Sequence, residues 1–162
     1  PVRELRPGSA KPRYSAVAIS PDGKLVAAID AKGEVAHIWD ATTGLVIGEI
    51  RNDASEFPAL AFSADGRWLA TTGGNDVHVF DTHTRTQALP MRGHRIQTLA
   101  FDPTGPRLLT GAATGDASIW AIPSGARVRH LREIGDPVDA VAFSPDGRLV
   151  AVANRDGTEQ VW

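Results

Sequence analysis

The sequence predicts an all-β protein, a β-propeller of four-stranded antiparallel blades. Three observations carry this. Short apolar runs alternate with turn signals along the chain, and no segment has helical periodicity or length. The turn glycines Gly23, Gly66, Gly105 and Gly147 recur at spacings of 43, 39 and 42 residues. An aromatic closes each third strand, at Trp39, Phe80, Trp120 and Trp162, spaced 41, 40 and 42. A period near 40 residues with four strands per period is the signature of a propeller. One such sheet cannot cover both its faces, so these units stack side by side into rings.

The elements follow in order. Tyr14 to Ser20 reads as a strand closed by Pro21-Asp22-Gly23, and Lys24 to Ile29 returns. A polar turn leads to Val35 to Trp39, then Asp40, and Thr43-Gly44 turns into Leu45 to Ile50. The second copy runs Phe57 to Ser63, the Asp65-Gly66 turn, Trp68 to Thr72, Val77 to Phe80 with Asp81 after it, and an outgoing strand from Gln87 to Met91. The third runs Ile96 to Phe101, Pro103-Thr104-Gly105, Arg107 to Thr110, Ala117 to Trp120, and Arg127 to Leu131. The fourth, Asp136 to Trp162, has its Asp146-Gly147 turn and a second turn at Asp156-Gly157. The expected blades are residues 9–50, 51–91, 92–132 and 133–162, with residues 1–8 as an outer strand. The small-large rhythm of Ala16-Val17-Ala18-Ile19 suits an inner strand crowded near a ring axis.

Composition narrows the function classes. At 162 residues the chain is long enough for one domain with a core. Its formal net charge of -2 argues against nucleic acid or an anionic membrane as partner, since phosphate binding needs a concentrated basic field. There is no cysteine, hence no disulfide framework and no thiolate metal site, a usage that fits the cytoplasm. No apolar run approaches the roughly 18 residues of a membrane span. The first residues lack the apolar core of a signal peptide. The chain begins without Met and stops on a Trp in mid-pattern, so it reads as a piece of a longer protein.

VAFSPDGRLVA in the fourth copy, LAFSADGRWLA in the second and VAISPDGKLVA in the first carry a resemblance. Over nearly its whole length the chain resembles WD-repeat (WD40-type) β-propellers. Trp39-Asp40 and the variant Phe80-Asp81 occupy that family's Trp-Asp position, and Gly93-His94 matches its Gly-His position. The resemblance implies a ring of about seven or eight blades, of which four copies are a part. It also implies a tetrad of His, Ser or Thr, turn Asp and Trp within a blade. No copy has all four groups: His94 has Thr114 rather than Asp six residues before Trp120, and Asp156 precedes Trp162 but Asp136 stands where a His belongs. Ala121 follows Trp120 in place of Asp. The blades are therefore expected to be held mainly by apolar stacking. Three arrangements of the ring stay open: Val2 to Leu5 finishing a blade upstream in a parent protein, two copies pairing head to tail, or a small four-bladed ring. An isolated monomer with two bare blade faces is expected to be poorly stable.

Catalytic motifs are missing: there is no Gly-x-Ser-x-Gly elbow, no P-loop and no His-Glu-x-x-His. His37 and His78, each two residues before a closing aromatic, invite a metal check across a blade interface, but no third ligand follows the register. No cofactor is expected. Asp22, Asp65 and Asp146 lie in separate blades and suit Asx-type turns rather than one Ca²⁺ site. Arg127, Arg129 and Arg132 form the densest basic run, an outer edge guarded against strand pairing.

The expected function is a non-catalytic protein–protein interaction scaffold. A rigid scaffold positions loop residues for recognition. The loops entering the first strands, with those between second and third strands, gather on one face in this architecture. Aromatic and Arg residues are the usual anchors, which selects Tyr14, Phe57, Arg95 and Arg155 for a protein or peptide ligand. The resemblance, with the bias to Arg and Ala, implies the sensor or docking part of a larger bacterial signalling protein. The alternative is a hydrolase or lactonase-like enzyme on a propeller scaffold, which needs polar and metal-binding residues at the ring axis, where Ala, Val, Leu and Ile dominate.

Overall fold

The computed structural model describes residue 5 and residues 13–53, 59–88, 91–93, 95–131 and 136–162. Most of the expected outer strand at residues 1–8 lies outside them, as do Phe57, His94 and Arg132.

Four antiparallel sheets follow one another along the chain. Blade 1 contains β1 (Tyr14–Ile19), β2 (Leu25–Asp30), β3 (Val35–Asp40) and β4 (Val46–Arg51), hydrogen-bonded in that order. Blade 2 has β5 (Leu60–Phe62), β6 (Trp68–Gly73), β7 (Asp76–Asp81) and an outer edge split into β8 (Thr86–Gln87) and β9 (Met91–Arg92). Blade 3 is β10 (Ile96–Phe101), β11 (Arg107–Ala112), β12 (Ala117–Ala121) and β13 (Ala126–Leu131). Blade 4 is β14 (Val138–Phe143), β15 (Val150–Asn154) and β16 (Glu159–Val161).

The first hairpin of each blade is tied by one polar device. Ser20 Oγ donates to Asp22 Oδ1 at 2.7 Å, the Lys24 amide donates to the same oxygen at 3.0 Å, and the Leu25 amide donates to Ser20 Oγ at 2.9 Å. Ser63 with Asp65, and Ser144 with Asp146, repeat it. The glycine after the Asp takes φ of 72° at Gly23, 70° at Gly66 and 67° at Gly147, a left-handed conformation that a side chain disfavours. Blade 3 exchanges the two roles. Asp102 stands where Ser does, Thr104 stands where Asp does, and the Thr104 amide and hydroxyl both donate to Asp102 Oδ1 at 2.8 Å. Gly105 is then not among the glycines with positive φ.

The core lies between sheets rather than within them. Ala27, Ile29, Ala36, Ile38 and Ile50 of blade 1 meet Leu69 and Phe80 of blade 2. Trp68, Ala70, Val77 and Val79 meet Leu108, Ala112 and Trp120 of blade 3. Leu109, Ala117, Ile119 and Leu131 meet Val138, Val150 and Val152 of blade 4. Each fully buried Leu, Ile or Val contributes roughly 1.5–3 kcal/mol. The sheets approach closely enough that a Cβ on Gly48 in β4 would stand 2.7 Å from Phe80 Cζ. The outward faces of the two end sheets are apolar: Val17 and Ile19 are 67% and 64% exposed on blade 1. On blade 4, Ala140, Ala142, Ala151, Ala153 and Val161 line a shallow hollow of about 240 Å³.

The register shifts between third and fourth strands at Ile38/Trp39 and Ile119/Trp120, and in the first strands as well. The first strands are irregular between Tyr14 and Ala16, Ile96 and Thr98, and Val138 and Ala140, the same position in three blades. The extra residues are Ser15, Gln97 and Asp139, and each bulge turns one side chain out of the two-residue rhythm. In the outer strand of blade 2, expected as one run, Gln87 pairs with Phe80, the Ala88 amide donates to the Val79 carbonyl at 2.7 Å, and Met91 pairs with Val77.

Candidate functional site

In blades 1, 3 and 4 a residue just before the first strand bonds the turn between the second and third strands, so both stand at one end: the Arg13, Arg95 and Pro137 carbonyls accept the Ala31, Ala113 and Arg155 amides. Local hydrogen bonds shape these turns. Asp30 Oδ1 accepts from the Lys32 and Glu34 amides at 3.2 and 2.9 Å. Asp156 Oδ1 accepts from the Thr158 amide and hydroxyl at 2.8 and 2.7 Å. Blade 3 again exchanges acid and hydroxyl: Thr114 Oγ1 donates to Asp116 Oδ2 at 3.0 Å. A hydrogen bond from the Thr158 hydroxyl holds the Asp156 carboxyl below the usual carboxylate range.

At this end a recess of about 510 Å³ is lined by Asp53, Gly74, Asn75, Asp76, Arg92 and Gly93. It mixes two carboxylates with a guanidinium and an amide, a set able to recognise polar and charged groups of a peptide. Asn52 fixes one wall from below: Thr71 Oγ1 donates to its Oδ1 at 3.1 Å, and its Nδ2 donates to the Thr72 carbonyl at 3.4 Å. Among the described residues, no group of three His, Cys, Asp or Glu side chains is placed to hold a metal ion.

The residues singled out from the sequence do not converge. Tyr14 lies over blade 1, its ring centroid 5.8 Å from Trp39 and 6.1 Å from His37, edge-on to both. Arg95 takes φ of 50° before β10, and its carbonyl accepts the Ala113 amide at 2.9 Å. Arg155, in the blade 4 turn, donates through Nε and Nη2 to Asp139 Oδ1 at 3.2 and 2.9 Å. Arg95 and Arg155 thus share an end but belong to different blades, and Phe57 lies outside the described residues. The recess residues Asp53 and Arg92 were not chosen as anchors. Their one sequence signal is position, beside the turn Gly74-Asn75-Asp76 at the outer strand of blade 2.

The polar locking within blades is partial. Trp120 Nε1 donates to Thr110 Oγ1 at 2.8 Å, and Asp116 pairs with His130 Nε2 at 3.1 Å on the outer strand. In blade 1, Ala28 stands where blade 3 has Thr110. Trp39, 1% exposed, accordingly has an indole N–H without a partner among the described residues. His37 and His78 do not face each other. Ile38 points at blade 2, so its neighbour His37 points away, toward Tyr14 and Glu49, and the blade 1 sheet lies between the two rings. His78 Nδ1 instead meets Gln87 Nε2 at 2.6 Å. Burial lowers the pKa of both imidazoles, against the pull of Glu49 on His37 and Asp76 on His78.

Stacked four-stranded sheets with inter-sheet cores and loops gathered at their two ends define a segment of a β-propeller. The chain belongs to the WD domain, G-beta repeat family, whose model matches residues 54–81, 84–121 and 125–162. It is 32% identical over 137 residues to an uncharacterized WD repeat-containing protein of Synechocystis, covering 82% of this chain and 39% of that protein. It is also 32% identical to the WD repeat-containing protein SL1-17 of Schistosoma mansoni, covering 90% of this chain and 49% of the relative. With autophagy-related protein 16 of Arabidopsis thaliana it shares 27% identity, over 91% and 30% of the two chains. The chain therefore spans half or less of these curated relatives. The solved structure of U3-55K superposes with a TM-score of 0.80 at 20% identity, covering 99% of this chain and 51% of that one, a likeness of fold.

Proposed function

We propose that this chain is part of a non-catalytic scaffold that presents the end bearing its entering loops and second-to-third-strand turns to a protein or peptide. The observation that carries this is the recess of about 510 Å³ in which Asp53, Asn75, Asp76 and Arg92 are brought together by rigid, stacked sheets. Membership in the WD repeat family supports it, since such domains generally serve protein–protein interaction. Further blades, from the parent protein or from a second copy, cover the apolar outward faces of blades 1 and 4. We read this chain as the sensor or docking part of a larger bacterial signalling protein, supported by its Arg and Ala bias, and place it in the cytoplasm, supported by its lack of cysteine.

The test is competition for a bound protein. The intact protein carrying Asp76→Lys and Arg92→Glu is compared with wild type for retention of the proteins that co-purify stoichiometrically with it. Loss of a partner in the double variant, with an unchanged melting curve, is the expected result. Retention of every partner would remove this end from the interface.

A further inference from the structure

The turns between first and second strands of successive blades line the opposite end of the stack, and two of the three junctions there are closed. Between blades 1 and 2, a Cβ on Gly66 would sit 3.7 Å from Pro21 Cδ and 3.9 Å from Ser20 Cβ. Between blades 3 and 4, a Cβ on Gly147 would run into Thr104 and Asp102. Between blades 2 and 3, a Cβ on Gly105 would meet nothing of blade 2 within 4 Å. A groove of about 410 Å³ opens there, lined among others by Ala64, Asp65, Trp68, Pro103, Pro106 and Pro123.

Blade 3 departs from its siblings at this groove. In blades 1 and 2 the residue after the closing aromatic is an acid that caps the next turn: Asp40 Oδ1 accepts the Thr42 and Thr43 amides, and Asp81 Oδ1 accepts the His83 and Thr84 amides. Blade 3 has Ala121 there, followed by Ile122, which is buried, and the exposed Pro123. Its hairpin turn is flanked by prolines, and the facing blade has Trp68 where blades 1 and 4 have Leu25 and Leu149. Departures from a repeat that collect on one junction leave a rigid apolar slot rather than a random loss of packing. Its rim is acidic. Arg67 is already held by Asp81, through Nε at 3.2 Å and Nη2 at 3.1 Å, and lies 4.8 Å over the Trp68 ring. Asp65 uses Oδ1 for its turn, and Arg67 acts on it as well as on Asp81, so the two carboxylates and one guanidinium together leave a single net negative charge at the rim. The Ser63 hydroxyl keeps that carboxyl below the usual range, hence ionised at neutral pH.

We propose that this groove is a second docking site, taking an apolar side chain flanked by Lys or Arg on a protein partner. The site rests on the scaffold reading but lies at the other end of the blades. The slot fits the apolar group, and Asp65 selects a basic neighbour while disfavouring acidic peptides.

The test uses the intact protein and three fluorescein-labelled peptides, Gly-Lys-Leu-Lys-Gly, Gly-Glu-Leu-Glu-Gly and Gly-Lys-Ser-Lys-Gly, read by polarisation and by the Trp68 indole signal in ¹⁵N spectra. The Lys-Leu-Lys peptide is expected to bind and shift Trp68, the other two to bind about tenfold more weakly or not at all. Ala64→Trp fills the slot from an exposed turn position and is expected to cost about tenfold in affinity; Asp65→Asn keeps the turn acceptor and is expected to cost about threefold. Equal binding of all three peptides, no binding by any, or indifference to Ala64→Trp overturns the proposal. Shifts confined to residues 74–76 and 92–93 would also overturn it while leaving the scaffold reading standing.

Discussion

Replacing Arg107 by Ala removes the only guanidinium hydrogen-bonded to a carboxylate that is fully out of water, among the described residues. Asp102 has a side-chain exposure of 0%; Arg107 donates to its Oδ2 through Nε at 2.6 Å and pairs with it again through Nη2. The same Nη2 donates to the Gly147 carbonyl of blade 4 at 2.9 Å, and the guanidinium lies 5.5 Å from the Phe143 ring. One side chain therefore satisfies a buried charge and joins two blades. Breaking a buried pair costs about 3–5 kcal/mol when the remaining charge is stranded. Here Asp102 keeps two hydrogen bonds from Thr104, and Arg107 is 41% exposed, so water reaches the gap. The loss is then about 2–3 kcal/mol, or a fall in Tm of about 5–10 °C for a chain of this size. Urea titration followed by tryptophan fluorescence, repeated on Asp102→Asn and the double variant, isolates the pair. Burial alone would raise the Asp102 pKa, but the Thr104 and Arg107 bonds outweigh it and hold it below the usual value of 3.8. Its contribution is present above the unfolded pKa and lost as pH falls through the folded one, so the gap between wild type and Arg107→Ala narrows only below about pH 4. A loss under about 0.5 kcal/mol, or a gap independent of pH down to about 2, would refute the reasoning.

Three further outcomes are expected. Thr110→Val leaves the buried Trp120 indole N–H without its acceptor and costs about 1–2 kcal/mol by urea denaturation. Gly23→Ala meets open space and pays only for its left-handed φ, about 1 kcal/mol, whereas Gly147→Ala also collides with the Thr104 and Asp102 side chains and costs about 2 kcal/mol more. Burial lowers the His37 and His78 pKa values, so stability declines as pH falls through 6.5, where the unfolded chain takes up protons that the folded one does not. The His37→Gln, His78→Gln double variant should flatten the denaturation midpoint between about pH 7 and 5.

Much of the blade plan was legible because it depends on residues with few alternatives. A turn that needs positive φ selects glycine, which exposed Gly23, Gly66 and Gly147, and the aromatics closing third strands set the period. The bulges at Ser15, Gln97 and Asp139 were not legible, because one extra residue in a strand of mixed Ala, Val and Leu leaves the pattern ambiguous. The exchange of acid and hydroxyl at Asp102 and Thr104 was written in the alignment of the copies. It gives no separate signal, because a carboxylate and a hydroxyl two residues apart close the same hydrogen bond in either order. Among anchor residues, Tyr14 opens β1, where it lies edge-on to Trp39 and keeps 36% of its surface exposed. Which junction between blades stays open follows from the fit of two turns remote in sequence, here Gly66 against Pro21 and Gly105 against nothing of blade 2.

The most direct measurement is site-specific photo-cross-linking in cells producing the intact protein. A benzophenone side chain is placed at Asn75 beside the recess, at Ala64 on the groove, and at exposed Val128 on the outer strand β13. The scaffold account predicts discrete protein adducts from Asn75, and the docking groove predicts them from Ala64, with none from Val128. Adducts from Val128 alone, or no protein adduct from either loop position, would contradict it.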